Sequence, residues 1–211
     1  MLWQSTRISS YCKGRLLEFF SLGDSRVSFQ VSDTIKPENY PQVIRIPREA
    51  IYYQQMNALS SLSGEIEIDE TMFDVKVAGK RGWGSAGNRM VFGIYQRNGK
   101  VLKFPIASMG KHDLIPLMIH YTTAGDLYYT NYWHAYKFLG ICGNHVVIRK
   151  GKGGPKGRDH LNGVEGFWFY TKHWLYHYCG VPKKYFYLHL KEIEWRFNHR
   201  KENLIILQRD I

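Results

Sequence analysis

The clearest periodicity in the chain lies between Gly64 and Phe73. Glu65, Glu67 and Asp69 alternate with Ile66 and Ile68, and successive side chains of an extended chain point to opposite faces. The spacing predicts a strand with one apolar face and one carboxylate face. Strands are poor in Asp and Glu unless those side chains are used, so Asp69 is a candidate for chemistry. An edge strand with a wet face is the competing reading of this stretch taken by itself.

Further along, apolar runs over 90–95 and 100–106 flank Asn98-Gly99 and predict a hairpin. Leu114, Leu117 and Met118 fall on one side of a helix over 112–121. Residues 127–131 and 145–149 read as a fourth and a fifth strand, with a helix beginning at Trp133 between them. Trp133 and Tyr136 read as core residues. Two helices, over 161–178 and 182–200, close the chain. Ahead of the first strand the pattern predicts a helix over 11–20 and another from Arg48 to Leu59. Between them Pro37, Pro41 and Pro47 disfavour helix. Ser60 to Gly64 reads as a linker. The expected organisation is therefore a helical segment over 1–60, read as a degenerate helix-turn-helix module, and a larger α/β domain over 64–203. Three meandering strands, then helix, strand, helix, strand and helix, resemble the ribonuclease H-like plan. That plan is a five-stranded mixed sheet with flanking helices.

Composition narrows the function. A chain of 211 residues with 44% hydrophobic side chains can bury a real core. It has no apolar run of 18 residues and no signal-type N-terminus, so a soluble, cytoplasmic protein is expected. Cys12, Cys142 and Cys179 stand far apart without Cys-x-x-Cys, and the histidines are scattered. Neither a zinc site nor a disulfide framework is expected, and no phosphate loop or dinucleotide fingerprint is present. The formal charge is +11, and residues 64–211 hold 22 of the 29 Lys and Arg. Such an excess points to a polyanionic partner. Lys76, Lys80 and Arg81 lie in one glycine-rich basic arm; Arg149, Lys150, Lys152, Lys156 and Arg158 lie in a second. Both suit contact with phosphates.

The helix after the second arm carries Asn162, Glu165 and Lys172 as one polar stripe, Glu165 and Lys172 being two turns apart. A capping pair, with Asn162 as N-cap and Glu165 reaching back, is an equally open reading of the first two.

Four segments together resemble a known family: Ile68-Asp69-Glu70-Thr71; Tyr128 to Tyr136 with Asn131; His160 to Trp168 with Lys172; and Trp195 to Arg200. The spacings from Asp69 to position 131 and on to Glu165 are 62 and 34 residues. The family is the DDE transposases of bacterial insertion sequences, with a ribonuclease H-like catalytic domain, in the ISXO-type group. The resemblance covers Gly64 to Lys201. It implies DNA strand cleavage and transfer at the ends of an element, with DNA (terminal inverted repeats and target) as partner and a homo-oligomer on that DNA. It also implies two divalent ions, Mg²⁺ or Mn²⁺, held by acidic residues at the positions of Asp69, Asn131 and Glu165. Lys172 would contact a phosphate, and Asn162 would orient Glu165 or the DNA.

One departure matters. Asn131 stands where the family has Asp, and an amide oxygen ligates without bringing charge. Asp126 and Glu70 both point to the face opposite their neighbouring site residue, so no local replacement is expected. Two functions follow: an active transposase, or a catalytically silent relic that still binds DNA. Another ribonuclease H-like nuclease, such as a resolvase, is disfavoured by the stripe from Glu165 to Lys172.

Overall fold

The computed structural model describes residues 9–23, 40–58, 60–73, 89–149, 157–178 and 181–209. The chain divides into two compact units, Ser60–Lys172 and the pair of segments Met1–Leu59 and His173–Ile211.

The unit Ser60–Lys172 is built on a five-stranded sheet. Its strands are β1 (Glu65–Phe73), β2 (Arg89–Gln96), β3 (Val101–Ile106), β4 (Leu127–Thr130) and β5 (Asn144–Val147). Their order is β3-β2-β1-β4-β5. Strand β1 runs antiparallel to β2 and parallel to β4, and β4 runs parallel to β5. A mixed sheet in this order, flanked by helices, is the ribonuclease H-like fold.

The alternation in β1 decides what each face meets. Ile66 and Ile68 are fully buried, as are Phe92 and Ile94 across the β1–β2 ladder. Their face is shared by Tyr128, whose hydroxyl bonds Thr122 at the end of α3 (Lys111–Tyr121). The carboxylate face receives α5 (Asn162–His177), whose Val164, Phe167 and Trp168 are buried. Phe73 meets Trp168 edge-on at 6.4 Å. Gly93, directly opposite Asp69, makes this close approach possible: a Cβ there would stand 2.5 Å from the Trp168 ring.

The expected hairpin forms: β2 and β3 pair antiparallel, and the turn between them is built around Asn98, which adopts φ 60°. Other local expectations change. Between β4 and β5 the helix expected from Trp133 is a 3-10 turn, His134–Phe138, followed by a short α4 (Leu139–Cys142). Tyr136 is core as expected, but Trp133, just ahead of that turn, is 36% exposed; its indole N–H donates to the Met109 carbonyl at 3.4 Å.

In the other unit, α1 (Ser10–Leu22) and α2 (Tyr40–Asn57) lie with α6 (Phe186–Asn198) and α7 (Leu204–Arg209). Helix α2 begins before Arg48 and runs through Pro47. Proline there removes one intrahelical bond, but Val43 and Ile51 are buried on either side of it. Ile51, Phe20 and Trp195 form one apolar cluster, against which Ile44, Leu204 and Leu207 pack. Tertiary packing outweighs the local penalty. Glu192, fully buried on α6, accepts from Arg48 at 2.6 Å and Arg196 at 2.8 Å. Arg196 also bonds the carbonyls of Phe20 and Ser21 at the end of α1.

Candidate functional site

The parallel register pairs Ile68 with Thr130, so Asp69 and Asn131 emerge side by side at the end of β4. Asn131 Nδ2 donates to Asp69 Oδ1 at 3.1 Å and to Glu70 Oε1 at 3.4 Å. The other Glu70 oxygen accepts from the Tyr136 hydroxyl. Burial first, and then the adjacent Glu70 and Asp69 carboxylates, hold the Tyr136 hydroxyl well above its ordinary pKa. It is therefore a donor at any physiological pH. Glu70 faces away from Asp69 as expected, yet Asn131 touches it as well. Asn131 lies beyond the last ladder pair of β4 and its amide spans both carboxylates.

The amide leaves one group over. Asn131 Oδ1 is buried and has no hydrogen-bond partner among the described residues, a state that costs about 1–3 kcal/mol. Asp69, Glu70 and Asn131 thus offer hard oxygen donors of the kind Mg²⁺ takes. They carry two charges, and the amide nitrogen now faces the carboxylates. Among the described residues no three His, Cys, Asp or Glu side chains group as a metal site.

Glu165 occupies the first turn of α5 and is half-buried; the helix itself packs on the face of β1 that carries Asp69. What holds that turn is Glu67. Its side chain is 1% exposed; Oε2 accepts the Val164 N–H at 2.9 Å and Oε1 accepts Arg97 Nε at 2.9 Å. A carboxylate against the unpaired N–H groups of a helix start is doubly favourable. The cap thus comes from the sheet, not from an Asn162–Glu165 pair. Arg97 also bonds Glu65 at 2.9 Å and the carbonyls of Arg158 and His160 at 2.7 Å each. Its guanidinium lies 3.6 Å from the centre of the Tyr129 ring. One arginine ties the β2–β3 turn, the carboxylate face and the approach to α5.

The remaining candidates fall as follows. Asn162 and Lys172 are exposed on α5. Arg158 bonds Glu65, and the Arg149 guanidinium lies over the Tyr132 ring. Lys76, Lys80, Arg81, Lys150, Lys152 and Lys156 lie outside the described residues. Asp126 accepts from Gly64 N at 2.8 Å and Thr123 N at 2.9 Å, so its carboxylate is occupied by a turn. Glu67, Arg97 and Tyr136 are site residues that sequence reasoning passes over. Glu67 shares the parity of Asp69 along β1, a signal that the pattern does carry; Arg97, in a turn, offers none.

The sheet order defines a ribonuclease H-like protein, with its polar cluster where β4 ends against the middle of β1. The family model for the ISXO2-like transposase domain matches residues 61–198, and the chain belongs to that family. It is also similar to an uncharacterized transposase-like protein of Haemophilus influenzae: 29% identity over 101 residues, covering 47% of this chain and 82% of that protein. No helix among the described residues is long and apolar enough to cross a membrane.

Proposed function

We propose that this chain cuts and joins DNA strands at the ends of an insertion sequence, as a DDE-type transposase whose second acidic position is Asn131. The observation that carries this reading is the contact between Asp69 and Asn131 across β1 and β4, in a chain of a transposase family. Residues 64–203 are the catalytic domain and residues 1–60 an N-terminal module for the DNA ends. Asp69 and Glu165 are the carboxylates of the reaction centre. Lys172, two turns beyond Glu165 on α5, takes a phosphate oxygen, and Asn162 orients Glu165 or the strand. Glu67 and Arg97 touch no DNA; they fix the first turn of α5 and so the position of Glu165. The two basic arms follow the phosphates. Terminal inverted repeats and target DNA are the partners, with more than one copy of the chain assembled on them in the cytoplasm.

A divalent cation, Mg²⁺ or Mn²⁺, held by Asp69, Asn131 and Glu165, would supply Lewis-acid activation of the attacking and leaving oxygens of a phosphodiester. Asn131 serves it only by turning its amide, so that the partnerless Oδ1 faces the carboxylates and the nitrogen does not. The bonds from Nδ2 to Asp69 and Glu70 oppose that turn. The same bonds favour a second reading, a catalytically silent protein that still binds DNA, because they satisfy the carboxylates without any cation.

Cleavage of a labelled terminal-repeat duplex separates the two. The protein with Asn131 is expected to show little or no cleavage with Mg²⁺ and a partial gain with Mn²⁺. Asn131→Asp is expected to raise the rate by orders of magnitude with DNA affinity almost unchanged. Full activity with Asn131 in place would move the second acid elsewhere, with Glu70 the nearest carboxylate. An inactive Asn131→Asp variant that still binds DNA would establish the silent reading.

A further inference from the structure

Strands β4 and β5 deliver more than Asn131 to the end of the sheet. Their register pairs Thr130 with Val147, and Ile148 N continues the ladder to Thr130 O at 2.7 Å. Two residues past the last pair on each strand stand Tyr132 and Arg149, at matching positions. The Arg149 guanidinium lies over the Tyr132 ring, 5.1 Å from its centre. Tyr132 is nevertheless 71% exposed, and Arg149 is exposed as well. Trp133 and His134 follow, also exposed, with their rings 4.8 Å apart. Large aromatic side chains are normally buried or half-buried. Here three in succession are left open, directly after the residue whose amide touches Asp69.

We propose that Tyr132 and Arg149 form a stacking platform for an unpaired nucleobase at the DNA end being processed. The inference rests on the DNA-cleaving reading given above and adds a recognition element to it. An aromatic ring backed by a guanidinium is the surface that single-stranded bases stack on, with the cation placed for the adjoining phosphate. Paired bases within a duplex hide their faces, so the ligand is a base out of its stack. The charge agrees: the chain carries +11, and a polyanion whose bases are flat matches both features of the platform. The location agrees too, since ligands of open α/β sheets gather beyond the carboxyl ends of parallel strands.

The test uses the full chain and two probes: a blunt duplex, and the same duplex with a short single-stranded overhang carrying 2-aminopurine. The overhang probe is expected to bind more tightly and its 2-aminopurine fluorescence to be quenched on binding. Tyr132→Ala should weaken overhang binding by about tenfold, the scale of one base–aromatic stack, abolish the quenching and leave blunt-duplex binding unchanged. Tyr132→Phe should keep both the preference and the quenching. Arg149→Lys should keep the salt dependence while reducing the preference. Thermal melting of each variant confirms that the exposed substitutions leave the fold intact. If the unaltered protein binds neither probe, the DNA-cleaving reading falls and this inference with it. If it binds both equally without quenching, only this inference falls. Two further results also overturn it: Tyr132→Ala weakening blunt and overhang binding alike, or Tyr132→Ala changing self-association in sedimentation while the overhang preference persists. The latter would make the platform a protein interface.

Discussion

An amide and a carboxylate fill nearly the same volume, yet they ask opposite things of their neighbours. At position 131 the amide donates to Asp69 and Glu70, so three polar groups sit together with only two negative charges. Asn131→Asp removes both donors and sets a third carboxylate among the others. Without metal the variant is expected to be less stable by about 1–3 kcal/mol. Added Mg²⁺ should raise its melting temperature more than that of the protein with Asn131. Equal metal-free stabilities would show that the amide bonds contribute nothing. Glu67 poses the converse case. Glu67→Gln keeps an acceptor for the Val164 N–H but turns a donor or a neutral oxygen toward Arg97, breaking a buried charge pair. Urea unfolding should report a loss of about 3 kcal/mol; a change within about 0.5 kcal/mol would mean that Glu65 alone satisfies Arg97.

Helix α5 is where element packing meets the proposed reaction centre. Its buried residues, Val164, Phe167 and Trp168, lie on the strand face that also carries Asp69, and two glycines set how close it comes. A Cβ at Gly93 would stand 2.5 Å from Trp168; one at Gly163 would stand 2.1 Å from the Tyr95 ring and 3.0 Å from Glu67 Oε2. Gly93→Ala should therefore destabilise the protein by about 1–3 kcal/mol through overpacking. The loss should be smaller in a Trp168→Leu background, since the two positions are coupled. Additive losses in the double variant would place the clash elsewhere.

At the scale of the whole molecule, charge governs acid stability and, in the proposed function, the affinity for DNA. Burial first, and then Arg48, hold His189 down to about 4, and its Nδ1 has no partner among the described residues. Burial works to raise the Glu192 pKa, but Arg48 and Arg196 outweigh it and hold it at about 2. The signs agree. Between the ordinary His value of 6.5 and about 4, the unfolded chain takes up a proton that folded His189 refuses, so stability falls as pH falls. Below 4.5, Glu192 adds a second loss, running down to about 2. Denaturation at a series of pH values should show both windows, and His189→Phe should flatten the first alone. An unchanged slope between pH 6.5 and 4 would assign that loss to another group. For affinity, replacing Lys150, Lys152 and Lys156 by Ala should weaken binding to all DNA sequences alike. It should also flatten the salt slope by ~0.9 for each phosphate that the arm no longer neutralises. An unchanged slope would exclude the second basic arm as a phosphate-binding surface.

Much of this is legible in the chain itself. Alternation of Glu and Ile along β1 is a local property, so it announces a strand with a carboxylate face and puts Asp69 on that face. The order of elements follows from periodicity; the sheet in which β1 and β4 lie side by side is only what the resemblance to the ribonuclease H-like plan implies. Tertiary structure alone decides the partners of buried polar groups, because those lie far apart in sequence. Glu67 caps a helix turn 97 residues away, Arg97 reaches from a turn to the approach of α5, and Asn131 bridges carboxylates on opposite faces of one strand. The same holds for α2, which passes through Pro47 because Ile51 and Phe20 bury against Trp195. A local pattern says which face must leave water; which atoms meet there is set by the strands and helices brought against it.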